Sequence, residues 1–358
     1  MLASWPFSCR RGKNWRRVLA PRYRARVSKR AFFRSLVVVV ALAVGFGFLV
    51  RAVPWLDRCR GGGALDTCDA AQLEPGLRTV VATMDQKLLA AGVLVYALGA
   101  FLWAKRWQTV LAVTPKAPPY SALLRASVEA YAAMALFVGG IGGDAVRLGA
   151  LVSYGIPASW AAASLAIDRV IGLAALVATA LLVAAPELVA MHPLALVALP
   201  ALLLLLAGGL ALGLLAPIPA FVPAPVRRIL DLLRGPYRDV PTALALRALA
   251  TSFVVSLSVA ATQLGAFGLF LAAAHARPPS IAKLVAGIVE AFVVNAIPTV
   301  PGGWGTGEAA FVFFLRPAGI LESEALAASV AFRLSVLPVA LIGVVLLALR
   351  ARRMGPKA

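Results

Sequence analysis

"GGIGGDAVRL", Gly139 to Leu148, stands in the middle of an oily chain. Four glycines beside an aspartate and an arginine are costly in a bilayer, where an ionisable side chain costs at least ~2.5 kcal/mol on insertion scales. Such a stretch persists at membrane depth when its charges are paired and when its glycines end one helix and begin another. It therefore reads as a break that carries charge.

What lies around the break sets the class. With 61% apolar residues, 14% charged residues and a mean hydropathy of +0.88, the chain is a polytopic membrane protein and its spans are helices, since lipid cannot satisfy open backbone groups. From Met1 to Arg34 there are eleven Lys or Arg and no acid, directly before the apolar run Leu36 to Val53. This is the charge signature of a cytoplasmic N-terminus. It accounts for much of the +20 net charge without nucleic acid, and it would attract anionic headgroups. Between Pro54 and Asp85 the balance reverses, with five acids against three arginines. That loop is expected outside, where Cys59 and Cys68 can form a disulfide. The run Leu88 to Ala104 ends in "KRW", read as an interfacial anchor on the cytoplasmic side. "PVRRILDLLRGPYRDVP" (Pro225 to Pro241) reads as a cytoplasmic amphipathic segment on the membrane. The tail "LRARRMGPKA" is basic and also cytoplasmic.

These landmarks leave a parity problem. Ile156 to Ala185 and Pro193 to Ala216 make a hairpin with an outside turn at Pro186 to His192, so Leu123 to Val138 and the glycine-rich stretch enter from the cytoplasm and return to it. Ala243 to Ala274 goes out and Ala325 to Leu349 comes back, so Ile281 to Val300 and "PGGWGTGEAAFVFFLRP" enter from outside and return outside. Two readings satisfy parity: re-entrant hairpins, or pairs of full crossings joined by tight turns. The expected fold is an all-α polytopic integral membrane protein, with about six full crossings plus two re-entrant helical hairpins, or eight transmembrane helices. Its divisions are a basic cytoplasmic arm 1–35, a transmembrane domain 36–349 and a basic tail 350–358.

Aligning Asp144 with Glu308, 164 positions apart, tests for a repeat. Gly139 then falls on Gly303, Gly143 on Gly307, Gly155-Ile156 on Gly319-Ile320, Ser159 on Ser323, and Arg169 on Arg333. The derived orientations are opposite, so halves of about 121–216 and 243–349 read as an inverted-topology repeat, a construction of transporters that alternate access around a site between the halves.

"GGIGGDAVRL" followed by "SLAIDRVIGL", then "PTVPGGWGTGEAAF" followed by "AFRLSV", resembles the membrane region of lysylphosphatidylglycerol synthases, shared with stand-alone flippase-like proteins. The resemblance covers roughly Leu36 to Leu349. It implies movement of a lipid between leaflets. In two-part synthases a separate soluble domain makes the aminoacylated lipid from aminoacyl-tRNA; this chain runs nine residues past its last apolar run, so it is expected to be a stand-alone member without that activity. Phe137 stands where the second half has the proline of its "PGG", so the half-sites are not expected to be equivalent.

The candidate substrate-binding residues follow from the chemistry. Arg169 and Arg333 offer fixed forks of donors for phosphate oxygens and stay charged when poorly solvated. Gly139, Gly140, Gly142 and Gly143, with Gly302, Gly303, Gly305 and Gly307, open helix starts whose free N–H groups suit an anion. Asp144, Glu308, Arg147, Asp168, Glu290 and Asn295 complete the set. Each also has a structural reading: Asp144 with Arg147 as a pair within one helix, Asp168 with Arg147 or Arg333, Glu290 with Lys283, Asn295 on backbone groups at the break, and the glycines in close helix packing. His192 and His275 show no ligand spacing; no metal or cofactor is expected.

The function expected is a lipid flippase or lipid transporter for an anionic or phosphate headgroup in a bacterial inner membrane. The alternatives are a non-transporting partner of an envelope-lipid synthesis enzyme and an integral-membrane lipid-phosphate transferase; the scattered acids do not form the cluster such an enzyme commonly needs, and an enzyme is not expected. The partners expected are a phospholipid or lipid-linked headgroup, the membrane, and a second copy of the chain or a lipid-synthesis enzyme, with no nucleic acid.

Overall fold

Asp85 opens the first long helix by accepting the backbone N–H groups of Lys87 at 2.7 Å and Leu88 at 3.2 Å, satisfying donors that a helix start leaves free. The structure, a computed structural model, describes Gly47 and residues 53–60, 68–69, 72–114, 117–136, 140–215, 222–237, 240–278, 280–296 and 305–353. The basic arm, nearly all of the first apolar run, Phe137, Gly139, Gly302, Gly303 and the last five residues lie outside the described residues. The described fold belongs to the compact unit Leu42–Ala358.

Before that helix the segment expected to be a loop holds more order than its sequence suggests. Strands β1 (Arg58–Cys59) and β2 (Leu73–Glu74) pair antiparallel with Arg58 opposite Glu74. Cys59 and Cys68 are joined by a disulfide. Glu74 accepts from Nε of Arg58 at 2.8 Å and of Arg60 at 3.0 Å, and those arginines hold its carboxyl below the ordinary range. Asp57 accepts the Gly76 N–H at 2.7 Å, with the same effect on its own carboxyl. A short helix, α1 (Leu77–Thr83), follows.

The long helix α2 (Gln86–Leu111) corrects the reading of "KRW". It runs seven residues beyond Ala104, and Arg106 and Trp107 are 7% and 0% exposed; they are core residues with partners on another helix. Then come α3 (Tyr120–Leu136), α4 (Gly140–Ser153), α5 (Ala158–Met191) and α6 (Ala195–Leu215). The outer turn after α5 is also displaced from its expected place: the helix absorbs Pro186 with a kink at Ala184 and caps only at His192, as a proline inside a helix demands. The amphipathic α7 (Ala224–Arg234) packs on α5 and α6. Its 3₁₀ continuation buries Tyr237, which donates to the Val110 carbonyl at 3.0 Å.

The second half runs through α8 (Thr242–Ala273), α9 (Ile281–Ala296), α10 (Thr306–Leu315), α11 (Glu322–Leu334) and α12 (Val336–Arg353). Four stretches are long and apolar enough to cross a bilayer: Gln86–Leu111, Ala158–Leu188, Thr242–Ala273 and Glu322–Leu349. By contrast α3, α4, α9 and α10 have 17, 14, 16 and 10 residues, short of the roughly 20 that a crossing needs. They pair as two hairpins, α3 on α4 and α9 on α10. The central contact is α2 against α8; around it α3 packs on α12 while α9 packs on α5. Leu182, Leu194, Leu204, Ile281 and Leu341 are exposed, as a lipid-facing surface requires.

Each hairpin leaves by the same turn. Gly155 and Gly319 have φ of +81° and +76°, a conformation that costs other residues a Cβ clash. Gly155 N–H reaches Val152 O at 2.9 Å and Ile156 N–H reaches Leu151 O at 3.2 Å; Gly319 N–H reaches Arg316 O at 2.9 Å and Ile320 N–H reaches Leu315 O at 3.3 Å. Both are Schellman ends, and the accompanying pairs Leu151–Ile156 and Leu315–Ile320 are buried. The Gly-Ile correspondence seen in the sequence thus has a local cause.

Candidate functional site

Asp168, on α5, is fully buried and gathers the polar groups around it. It accepts from Arg106 through Nε at 2.7 Å and Nη2 at 3.0 Å, from Trp103 Nε1 at 3.1 Å and from Arg147 Nη2 at 3.2 Å. The Arg147 guanidinium lies between two indoles, 4.6 Å from the Trp103 ring and 4.1 Å from the Trp107 ring, where a cation is attracted to the π faces. It is 1% exposed, and its Nε and Nη1 have no hydrogen-bond partner. Trp103, Arg106 and Trp107 share a face of α2 by their spacing of three and four. The assembly of two guanidiniums and one carboxylate has a formal charge of +1.

Arg147 was expected to pair with Asp144 along α4 or with Asp168; it takes Asp168, which pairs with Arg106 rather than Arg333. Asp144 instead accepts from Arg169, through Nε at 3.1 Å and Nη2 at 2.5 Å. That pair is open, with the two side chains 56% and 28% exposed. Asp168 and Arg169 are consecutive and so point 100° apart around α5, which sends them to different partners on α4. In the second half Arg333 pairs with Glu308, and here the side chains are 21% and 0% exposed.

Glu308 does further work. Gly305, with φ +83°, heads α10, and its N–H donates to Glu308 Oε2 at 2.5 Å. The start of α10, expected to offer free donors to an anion, is thereby capped by the chain's own carboxylate. Gly307 is a close-packing position: a Cβ there would strike Asn295 Oδ1 and Arg333 Nη2. Gly143, its counterpart, faces Met134 and the Ala130 carbonyl in the same way. Asn295 donates to the Ala291 carbonyl at 3.0 Å, one turn back within α9. Gly140 and Gly142 lie in the first turn of α4.

The basic group that approaches Glu290 comes from the other half and is not Lys283: His192 Nδ1 lies 4.0 Å from Glu290 Oε2. Glu290 Oε2 and His192 Nε2 have no hydrogen-bond partner. Between the ends of α3 and α4 a cleft of about 240 Å³ is lined by Arg125, Glu129, Ser153 and Tyr154 among others. Among the described residues no three His, Cys, Asp or Glu gather as metal ligands.

Most of these side chains sit in the stretches that carry the family motifs, and a model of the lysylphosphatidylglycerol synthase TM region matches residues 73–343. The chain belongs to that family. None of the curated proteins compared with it matches. Family and helices together make this a multi-pass membrane protein related to lipid handling. The matched span runs from β2 into α12 and contains every ion pair of the two hairpins.

The residues missed by the sequence reading are Trp103, Arg106 and Trp107. Their i, i+3, i+4 spacing could have flagged a polar stripe, but a cation and indoles at the end of an apolar run also describe an interface anchor.

Proposed function

We propose that this protein moves a lipid with an anionic or phosphate headgroup between the leaflets of a bacterial inner membrane, by alternating access between two inverted halves, without acting as an enzyme. The observation that carries this reading is the recurrence of one device at a spacing of 164 residues: Asp144 with Arg169 and Glu308 with Arg333, each acid on the second helix of a short hairpin and each arginine on the long segment after it. The matched Schellman turns support it, as do the crossed contacts in which the first helix of each hairpin packs on a long segment of the other half. Hairpins too short to cross fit re-entrant elements that meet near mid-membrane. On this reading the N- and C-termini are cytoplasmic.

An arginine paired with a carboxylate can exchange it for a phosphate, because both offer oxygens to the same fork of donors. The open Arg169–Asp144 pair is the easier to exchange; the Arg333–Glu308 pair needs movement of its half. The test is a leaflet-specific assay in reconstituted vesicles containing phosphatidylglycerol, on variants first shown to be folded by thermal melting. Arg169→Leu and Arg333→Leu are expected to abolish transport, and the lysine variants to retain part of it, since lysine keeps the charge and loses the fork. Folded leucine variants that move lipid at the parent rate would refute the role. Unfolding that is rescued by also removing the acid would assign the arginines to structure alone.

A further inference from the structure

The offset that carries Asp144 onto Glu308 also carries Trp103 onto Phe267, Arg106 onto Phe270, Arg147 onto Phe311 and Asp168 onto Phe332. Three of the contacts correspond. Trp103 donates to Asp168, and Phe267 meets Phe332 with ring centroids 5.5 Å apart. Arg106 pairs with Asp168, and Phe270 meets Phe332 edge to face at 6.3 Å. Arg147 stacks on Trp103, and Phe311 stacks on Phe267 at 4.2 Å with an interplanar angle of 21°. The two halves thus hold the same four-position arrangement, once as two cations, an acid and an indole, and once as four phenyl rings.

The phenylalanine version fills the equivalent arrangement without any charge. Charge there must then have another use, because a buried ion is expensive unless fully paired. It is not fully paired: one carboxylate serves two guanidiniums, and Arg147 keeps two buried donors without acceptors. From this we infer that the first half alone carries a charge-selecting site, in which Arg147, lying over the rings of Trp103 and Trp107 and held by the Asp168 that Arg106 also pairs with, takes a phosphate monoanion or diester, while the phenylalanine cluster of the second half is its uncharged counterpart. The inference rests on the repeat reading above. The phosphate is that of a lipid headgroup or the free ion, since both present oxygens to the same two donors.

The experiment uses the purified full-length protein in neutral detergent and follows thermal melting while a ligand is titrated. The probes are dihexanoyl phosphatidylglycerol, inorganic phosphate, and a diacylglycerol with the same chains and no phosphate. The parent is expected to be stabilised saturably by a phosphate-bearing probe and not by the diacylglycerol. Response to the lipid and not the free ion identifies the headgroup as source; response to inorganic phosphate at equal affinity identifies the ion. R147Q, which keeps the Arg106–Asp168 pair, is expected to weaken that response about ten- to a hundredfold, the range for losing hydrogen bonds to a charged group. The triple variant R106F/R147F/D168F copies the second half, leaves no unpaired charge, and is expected to melt cooperatively with no response to phosphate. A folded R147Q or triple variant that binds with parent affinity, or a parent that answers to neither phosphate probe, overturns the site. A parent that binds in this way but does not exchange lipid between leaflets keeps the site and removes the transport reading.

Discussion

Glu308 and Asp144 occupy equivalent positions and face equivalent arginines, yet their surroundings give opposite expectations for the same substitution. Glu308 is fully buried, pairs with Arg333 and caps Gly305. Glu308→Ala removes the buried carboxylate that faces Arg333 and uncaps α10, and is expected to cost about 3–5 kcal/mol, the range for breaking a buried pair. Asp144→Ala breaks a pair whose arginine is 56% exposed and can turn to another partner, and is expected to cost clearly less than Glu308→Ala. Denaturant or thermal unfolding of both variants in one detergent checks the contrast, and equal losses would contradict it. The sequence shows the acid–arginine correspondence because its spacing is fixed by two helices and a turn. The difference in burial depends on what the rest of the fold lays over each pair, and no local pattern records that. For the same reason Arg106 is legible as a cation at the end of an apolar run and not as the partner of Asp168, 62 positions away.

At the scale of elements, the turn after α4 isolates a backbone effect. Nothing lies within 4 Å of where a Cβ on Gly155 would stand, so Gly155→Ala adds no clash with a neighbour, and its cost is that of a left-handed conformation, about 1–2 kcal/mol. A thermal melt lowered by that amount is the expected result; an unchanged melt would mean that the turn can be rebuilt without the positive φ. These hairpins and turns are legible in the sequence, since glycines at a helix end and apolar runs of limited length are local signals. The β1–β2 pair is not: two strands of two residues each have no periodicity to read, and their ion pairs and disulfide are what hold them. That segment carries a pH dependence. The native Glu74 carboxyl titrates below its ordinary range because Arg58 and Arg60 favour its charged form, so its contribution is present above the ordinary carboxylate range and is lost as pH falls through the lowered native value. Protease sensitivity of the segment is expected to rise on acidification in the parent, and in E74Q to be high already at neutral pH and to change less.

For the whole molecule, the inverted arrangement makes a claim about sides that no internal contact can make. If α3–α4 and α9–α10 are re-entrant, both ends of each hairpin lie on one face of the membrane, and the two hairpins open to opposite faces. Ser121 begins the first hairpin and Tyr154 ends it; Ser280 precedes the second and Gly319 follows it. Single cysteines are introduced in a background in which Cys9 is replaced and the Cys59–Cys68 pair is retained, in cells treated with a membrane-impermeant thiol reagent before and after permeabilisation. S121C and Y154C are expected to react only after permeabilisation, and S280C and G319C before it. Gly319 has φ +76°, so G319C is made alongside S323C, at the first turn of α11, to keep that arm readable if the turn is strained. Full crossings joined by tight turns would still satisfy parity and give the same labelling, so a probe at the first break separates the two. A cysteine at Gly140, which begins α4, lies at mid-membrane in a re-entrant hairpin and at the outer face in a pair of crossings. The short helices favour mid-membrane, because 14 residues at 1.5 Å each span about 21 Å of a core of about 30 Å. G140C is therefore expected to resist the reagent from outside in intact cells, and prompt labelling there would replace the re-entrant hairpin with two crossings.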